Sequence, residues 1–185
     1  MNLVDPIRDL EEIERMKNVL KNQNIRDYFL FVIGINSGLK FSDLLQLKFG
    51  DLMCDGKMTS SICINQIDYN INTVVKECFI LYQKSIPKSE KLVDTYVFKS
   101  RKGNNPIDRS HAYRILNSAA LEANLPCKIG THTLRKTYGY QHYAKYKDIR
   151  YLQKLFKHNS IKQTFGYIGI VESEIKNEET YEFNL

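Results

Sequence analysis

The chain has 185 residues, 43% hydrophobic and 26% charged, which suits one globular domain with a real core. No apolar run approaches about 18 residues, so no transmembrane helix is expected. The acid-bearing start MNLVDPIRDLEEIERM also lacks the apolar stretch of a signal peptide, which predicts a cytoplasmic location. Net charge is +6 but unevenly placed: residues 95–166 carry fourteen Lys/Arg against three Asp/Glu, whereas 171–185 carry five Glu and one Lys.

A basic segment of that size suits a polyanionic partner, most simply nucleic acid, although charge alone fits a solvated surface equally well. Cys54, Cys63, Cys78 and Cys127 have no C-x-x-C spacing. That argues against a zinc site and for reduced, mostly buried thiols.

Along the chain no repeat, low-complexity tract or Pro/Gly-rich linker marks a boundary. Asp9 with Glu12 predicts a capped helix over about 10–21, its buried face formed by Ile13, Met16, Val19 and Leu20. IRDYFLFVIGINSG is apolar nearly all round and predicts a buried helix stopped by Gly38. Ser42 is placed to cap a short helix, with Leu44, Leu45 and Leu47 facing inward. Residues 60–74 alternate as a hairpin with its turn near Asp68–Asn70. Helices are expected at about 73–86 and 109–124, the second stopping before Pro126, with a short strand at 96–98 between them. THTLRKTYGYQHYAKY and IRYLQKLFK supply two more helices, and IKQTFGYIGI a short helix or loop. The expected class is mainly α with a small antiparallel β-sheet.

The chemistry concentrates near the end of the basic segment. His132 and Arg135 are three apart, His158 closes the stretch LQKLFK, and Tyr167 follows nine residues later. Breaking a phosphodiester needs a nucleophile, an acid for the leaving oxygen and donors for the charged oxygens. Positioning and electrostatics carry most of the effect. A tyrosine hydroxyl, with a pKa near ~10, attacks only when its neighbours take the proton and favour the anion. Arginine offers a planar pair of donors that never deprotonates, and histidine titrates near neutrality. No one of these residues is informative alone. A lone histidine is usually structural, and twelve tyrosines make any one a weak candidate.

Together with their flanks, these residues resemble the C-terminal block of the tyrosine recombinases, the phage-integrase family. GINSGLKFSDLLQLKFGDL resembles the family's first block and SRKGNNPIDRSHAYRIL its middle segment, so the likeness runs from about residue 5 to 172. The resemblance implies a tyrosine recombinase catalytic-domain fold with a core at about 5–170 and an acidic tail at 171–185; the N-terminal core-binding domain that the family usually carries is not expected in this sequence, a departure from the pattern. The resemblance also implies cleavage and rejoining of double-stranded DNA through a 3′-phosphotyrosyl link, without cofactor or metal. By the same likeness Tyr167 is the nucleophile, His132 assists its proton transfer, and Arg135 and His158 bind non-bridging oxygens. Lys40 stands where the family's first arginine stands, with Asp43 as the acid that orders that site. Arg101, Lys102, Arg109, Arg114 and Lys136 are candidate DNA contacts. In related recombinases the C-terminal segment docks on a neighbouring protomer, which here points to Ile168, Ile170, Val171 and Ile175. A frayed tail fits the same residues.

Two departures bear on activity. Lys40 keeps a charge but loses the paired donors of arginine. The family's general-acid lysine on the hairpin has no counterpart in SSICINQIDYNINTVV: Lys76 already belongs to the next helix, and Lys57 precedes the first strand. Three readings therefore stand. They are a recombinase with reduced turnover, a non-catalytic DNA-binding relative that pairs with itself or an intact recombinase, and a relaxing activity with the same chemistry.

Overall fold

Asp9 opens the first helix. In the computed structural model, which describes residues 4–101, 103–126 and 129–171, its carboxylate accepts the Glu11 N–H at 2.8 Å and starts α1 (Leu10–Gln23). Asn24 then caps α2 (Ile25–Ser37) through the Arg26 N–H. No polar stripe interrupts α2, and Phe29, Leu30, Phe31, Val32 and Ile33 keep no exposed surface. Each such side chain contributes about 1.5–3 kcal/mol by leaving water, so α2 serves as the hub against which other helices pack. Gly38 ends it in the left-handed region at φ 71°, where a Cβ would also lie 2.6 Å from the Tyr138 ring.

Two short helices follow, α3 (Phe41–Leu45) and α4 (Phe49–Leu52). Leu44, Leu45 and Leu47 are buried as the spacing requires. Ser42 does not cap α3. Extended backbone at Lys40 already turns the chain, the helix begins at Phe41, and the Ser42 hydroxyl donates to Asp43 Oδ1 instead.

The sheet differs from expectation in two ways. It is two separate two-stranded hairpins, β1 (Met53–Cys54) with β2 (Lys57–Met58), and β3 (Ser61–Ile64) with β4 (Ile67–Asn70). The first turns on Asp55–Gly56, and the second turns on Asn65–Gln66 rather than near Asp68–Asn70. Ile64 faces Ile67 across a two-residue loop whose residues both have positive φ, 51° and 64°, the geometry that matches strand twist. That register turns Ile62 and Tyr69 inward together.

Helix α5 (Thr73–Ser85) packs on α2, and Phe29, Phe49, Phe79, Tyr82 and Phe98 form one aromatic cluster between them. Val97 and Phe98 are fully buried, yet 96–98 is no regular strand. It makes only single bridges, Lys48 to Tyr96 and Lys99 to Pro106, and Pro106 has no N–H with which to extend a ladder. Next come α6 (Arg109–Glu122), α7 (Thr133–Tyr146), α8 (Ile149–Phe156) and α9 (Ile161–Ile168). The run IKQTFGYIGI is thus helical, begun by Ser160 Oγ accepting from Gln163 N–H and ended by Gly169. Helix α9 lies against α7 at Gly139, where a Cβ would meet Ile168 at 2.6 Å and the Phe156 ring at 3.0 Å.

No helix among the described residues is long and apolar enough to cross a membrane. Cys54 and Cys63 are exposed and only Cys78 of the described three is buried, because the first two sit on outward positions of the hairpins. Lys102, Cys127, Ile175 and the glutamates of the tail lie outside the described residues.

Candidate active site

Three helix ends meet at one pocket. His132 is the N-cap of α7 and Arg135 lies one turn inside, so their three-residue spacing puts both on one face. His158 follows the left-handed Lys157 that ends α8, and its N–H donates to Gln153 O at 3.0 Å, which fixes where the ring starts. Tyr167 comes from the last turn of α9. With Lys40, Phe41, Ser42, Arg109, Thr131 and Phe156 they line a cleft of about 220 Å³.

The distances inside it are short. His132 Nδ1 is 3.3 Å from the Tyr167 hydroxyl oxygen. The His158 and Tyr167 rings are 5.0 Å apart at 70°, edge to face. Arg135 is 5% exposed, and its guanidinium donates to Gly38 O at 2.8 Å and Leu155 O at 3.4 Å while lying 4.5 Å from the centre of the Phe156 ring. Two carbonyls and a ring thus hold the cation before any anion arrives, which is the pre-organisation that phosphate stabilisation requires. Lys40 is exposed at the rim, carried by extended backbone before α3.

Electrostatics separates the roles these groups can take. Burial pushes the Tyr167 hydroxyl up to about 12, with Arg135 pulling the other way. Burial holds His132 below the usual histidine value, and Lys136, Arg109 and Arg135 push it further down. His158 is lowered by burial and then by Arg135. Both rings are therefore neutral at neutral pH, and His132 can accept the proton of the hydroxyl beside it. Tyr167 does not ionise unaided.

Sequence expectation and structure part company at several residues. Lys136, expected on a DNA-facing surface, is 6% exposed, and its ammonium lies 5.4 Å from the centre of the Tyr167 ring. It follows Arg135 on α7, and that turn faces inward. Arg109, expected as an outer contact, lines the cleft itself because it opens α6. Arg114 is exposed on α6, and Arg101 lines a different cleft with Arg26, Lys99 and Glu90. Asp43 accepts from Ser42 rather than bracing Lys40. Lys57 sits on β2, paired with Cys54, and not at the longer hairpin. The Asp-Gly pair before it was the signal for that small hairpin. A different lysine reaches the longer one: Lys157 Nζ donates to Asn65 O in its turn at 3.4 Å. No group of three or more His, Cys, Asp or Glu suited to a metal occurs among the described residues.

Fold and pocket together are those of a helical domain that holds a tyrosine hydroxyl between two histidines and a fixed arginine. The phage integrase family model matches residues 8–173, and the chain belongs to that family, the tyrosine recombinases. The probable integrase/recombinase YoeC of Bacillus subtilis (strain 168) is 43% identical over 174 residues, 93% of each chain. Among solved structures, XerA recombinase matches with a TM-score of 0.74 at 18% identity, over 96% of this chain and 63% of that one. XerH site-specific recombinase, solved on its palindromic difH substrate after cleavage, matches with a TM-score of 0.69 at 18% identity. That match covers 96% of this chain and 53% of XerH, so the chain spans between half and two thirds of these two recombinases.

Proposed function

We propose that this chain cuts and rejoins double-stranded DNA through a covalent link to Tyr167. The observation that carries the reading is the 3.3 Å approach of His132 Nδ1 to the Tyr167 hydroxyl inside a cleft whose charged lining is entirely cationic. His132 takes the phenolic proton, and the phenolate oxygen attacks phosphorus. The bond from phosphorus to the 5′-oxygen breaks, and that oxygen leaves as a hydroxyl by taking a proton from solvent, to which His132 returns the phenolic one. A 3′-phosphotyrosyl link remains. Arg135 and protonated His158 hold the non-bridging oxygens, with Lys40 and Arg109 adding charge at the rim. The link conserves the phosphodiester's energy, so a second 5′-hydroxyl reverses the step and seals a new strand. The exposed Arg101 and Arg114 would meet the DNA backbone, and Lys102 is proposed with them from its place in the basic sequence segment alone. Such chemistry takes place where the DNA is, which suits a cytoplasmic location.

Lys40 favours a second reading. An exposed lysine gives one point charge where two parallel donors serve the phosphate best, which suits a relative that binds DNA and turns over slowly or not at all. One experiment separates them. The chain is incubated with nicked duplexes carrying the DNA that flanks its gene, and the products are denatured and resolved. A covalent adduct lost in Tyr167→Phe supports the recombinase. Salt-dependent binding with no adduct from the unaltered chain supports the binding-only relative.

A further inference from the structure

Thr164 is fully buried on α9, three residues before Tyr167, and its hydroxyl has two neighbours. Its oxygen is 3.1 Å from Ser160 O and 3.2 Å from His158 Nδ1. A threonine hydroxyl has one proton to give. If it went to His158, the Ser160 carbonyl would keep only the 3.2 Å bond from the Thr164 N–H, and the 3.1 Å back-bond to the i−4 carbonyl that helical threonines make would be lost. If it goes to Ser160 O, the hydroxyl oxygen is free to accept, and His158 must supply the proton. The His158 main chain is held by its N–H on Gln153 O and the Gln153 side chain on His158 O, and the ring itself is packed edge to face against Phe156 and Tyr167, centroids 5.5 and 5.0 Å away, which opposes its turning.

We propose that Thr164 is a positioning residue that locks the proton of His158 on Nδ1, leaving a bare Nε2 that can donate to a phosphate oxygen only when the ring is imidazolium. The groups facing His158 in its pocket are Arg135 and His132 from α7, Tyr167 from α9, Arg109 from α6 and Lys40 before α3. None is a carboxylate. Burial and Arg135 keep the free ring neutral, and a neutral ring in this tautomer points a lone pair at any incoming oxyanion. An anion in the cleft supplies the missing negative charge, so its binding takes up a proton at His158. Phosphate as the natural ligand rests on the recombinase reading; the tautomer does not.

The test uses the whole chain with ring-labelled histidine and multiple-bond proton–nitrogen correlation spectra above the His158 titration. The expected spectrum shows Nδ1 protonated and Nε2 bare at His158. Thr164→Ser keeps this pattern. Thr164→Val shifts the ring to the Nε2–H form that free histidine prefers. Sulfate, whose charge is constant over this range, is then titrated while the same ring signals are followed. In the unaltered chain its affinity falls about tenfold per unit rise in pH above the His158 titration, and this slope flattens in Thr164→Val. A His158 already in the Nε2–H form, or an unchanged tautomer in folded Thr164→Val, overturns the proposal. If the valine variant does not fold, the spectra of the unaltered chain and the serine variant decide alone. A correct tautomer without any Tyr167 adduct leaves this proposal standing and removes the recombinase reading.

Discussion

Lys136 holds its ammonium 5.4 Å from the centre of the Tyr167 ring, in a turn of α7 that keeps only 6% of its surface exposed. A cation over an aromatic face is stabilising, and more so once the ring carries the negative charge of a phenolate. On the proposed chemistry the lysine would act on the attacking residue itself, against the burial that pushes its hydroxyl up to about 12. Lys136→Met is expected to slow adduct formation about tenfold, equivalent to about 1.4 kcal/mol, and to move the rate's rise to higher pH. Lys136→Arg keeps the charge and most of the rate. A methionine variant with an unaltered pH–rate profile would remove the ammonium from the chemistry.

Lys40 gives a gain-of-function test. Arginine at this rim position adds a second parallel donor without burying new charge, since the side chain is exposed. One pre-organised donor is typically worth about 10²–10³ in rate, and the charge already present takes part of that, so Lys40→Arg should raise the cleavage rate about tenfold. Single-turnover cleavage of a nicked duplex measures it. An unchanged rate would place the phosphate away from Lys40.

Gly139 sets the distance between α7 and α9. A side chain there meets Ile168 at 2.6 Å and Phe156 at 3.0 Å, so Gly139→Val must push α9 outward and Tyr167 with it. Overpacking of this kind costs about 1–3 kcal/mol. The expected outcome is a lower unfolding midpoint and loss of the adduct, while DNA binding keeps its salt dependence. Retained cleavage would mean α9 tolerates the shift.

Acid should weaken the fold through its histidines. His132, His142 and His158 are all held below the ordinary value of 6.5, chiefly by burial. Below 6.5 the unfolded chain binds protons that the folded chain refuses, so stability rises with pH there and is fully present above 6.5. Unfolding midpoints at fixed salt should therefore hold near neutrality and fall as pH drops below 6.5. His142 has a buried Nδ1 without a hydrogen-bond partner and stacks on Tyr151 at 4.8 Å. His142→Gln should accordingly flatten part of that acid slope.

Much of this was legible in the residues. The helices α1, α2 and α5 to α8 announced themselves in the sequence, because their apolar faces had to find the core, while IKQTFGYIGI left helix or loop open and folds as α9. His132, Arg135, His158 and Tyr167 were found by spacing and resemblance, and the fold brings all four to one cleft. The misses share a cause: they depend on contacts between segments distant in sequence. Nothing local in RKTYG says that Lys136 turns under a tyrosine thirty-one residues on. Nothing in IKQTFGYIGI says that Thr164 meets His158. The β3–β4 turn was misplaced for a local reason. Asp68 and Asn70 look like turn residues, but Asn65–Gln66 gives the register that buries Ile62 with Tyr69.

The Gly38 carbonyl has a larger part than ending a helix. Arg135 hangs from it, so the most buried cation of the pocket's lining, the one proposed to hold an anion, is fastened to the most deeply buried helix of the fold. Tyr167 is carried by α9, a short outer helix resting on α7 and α8. Segments with less buried surface open first when a protein fluctuates. Warming or mild denaturant will therefore loosen Tyr167 before Arg135. On the proposed chemistry, a range lies between the two in which the protein would still clasp DNA and would have ceased to cut it.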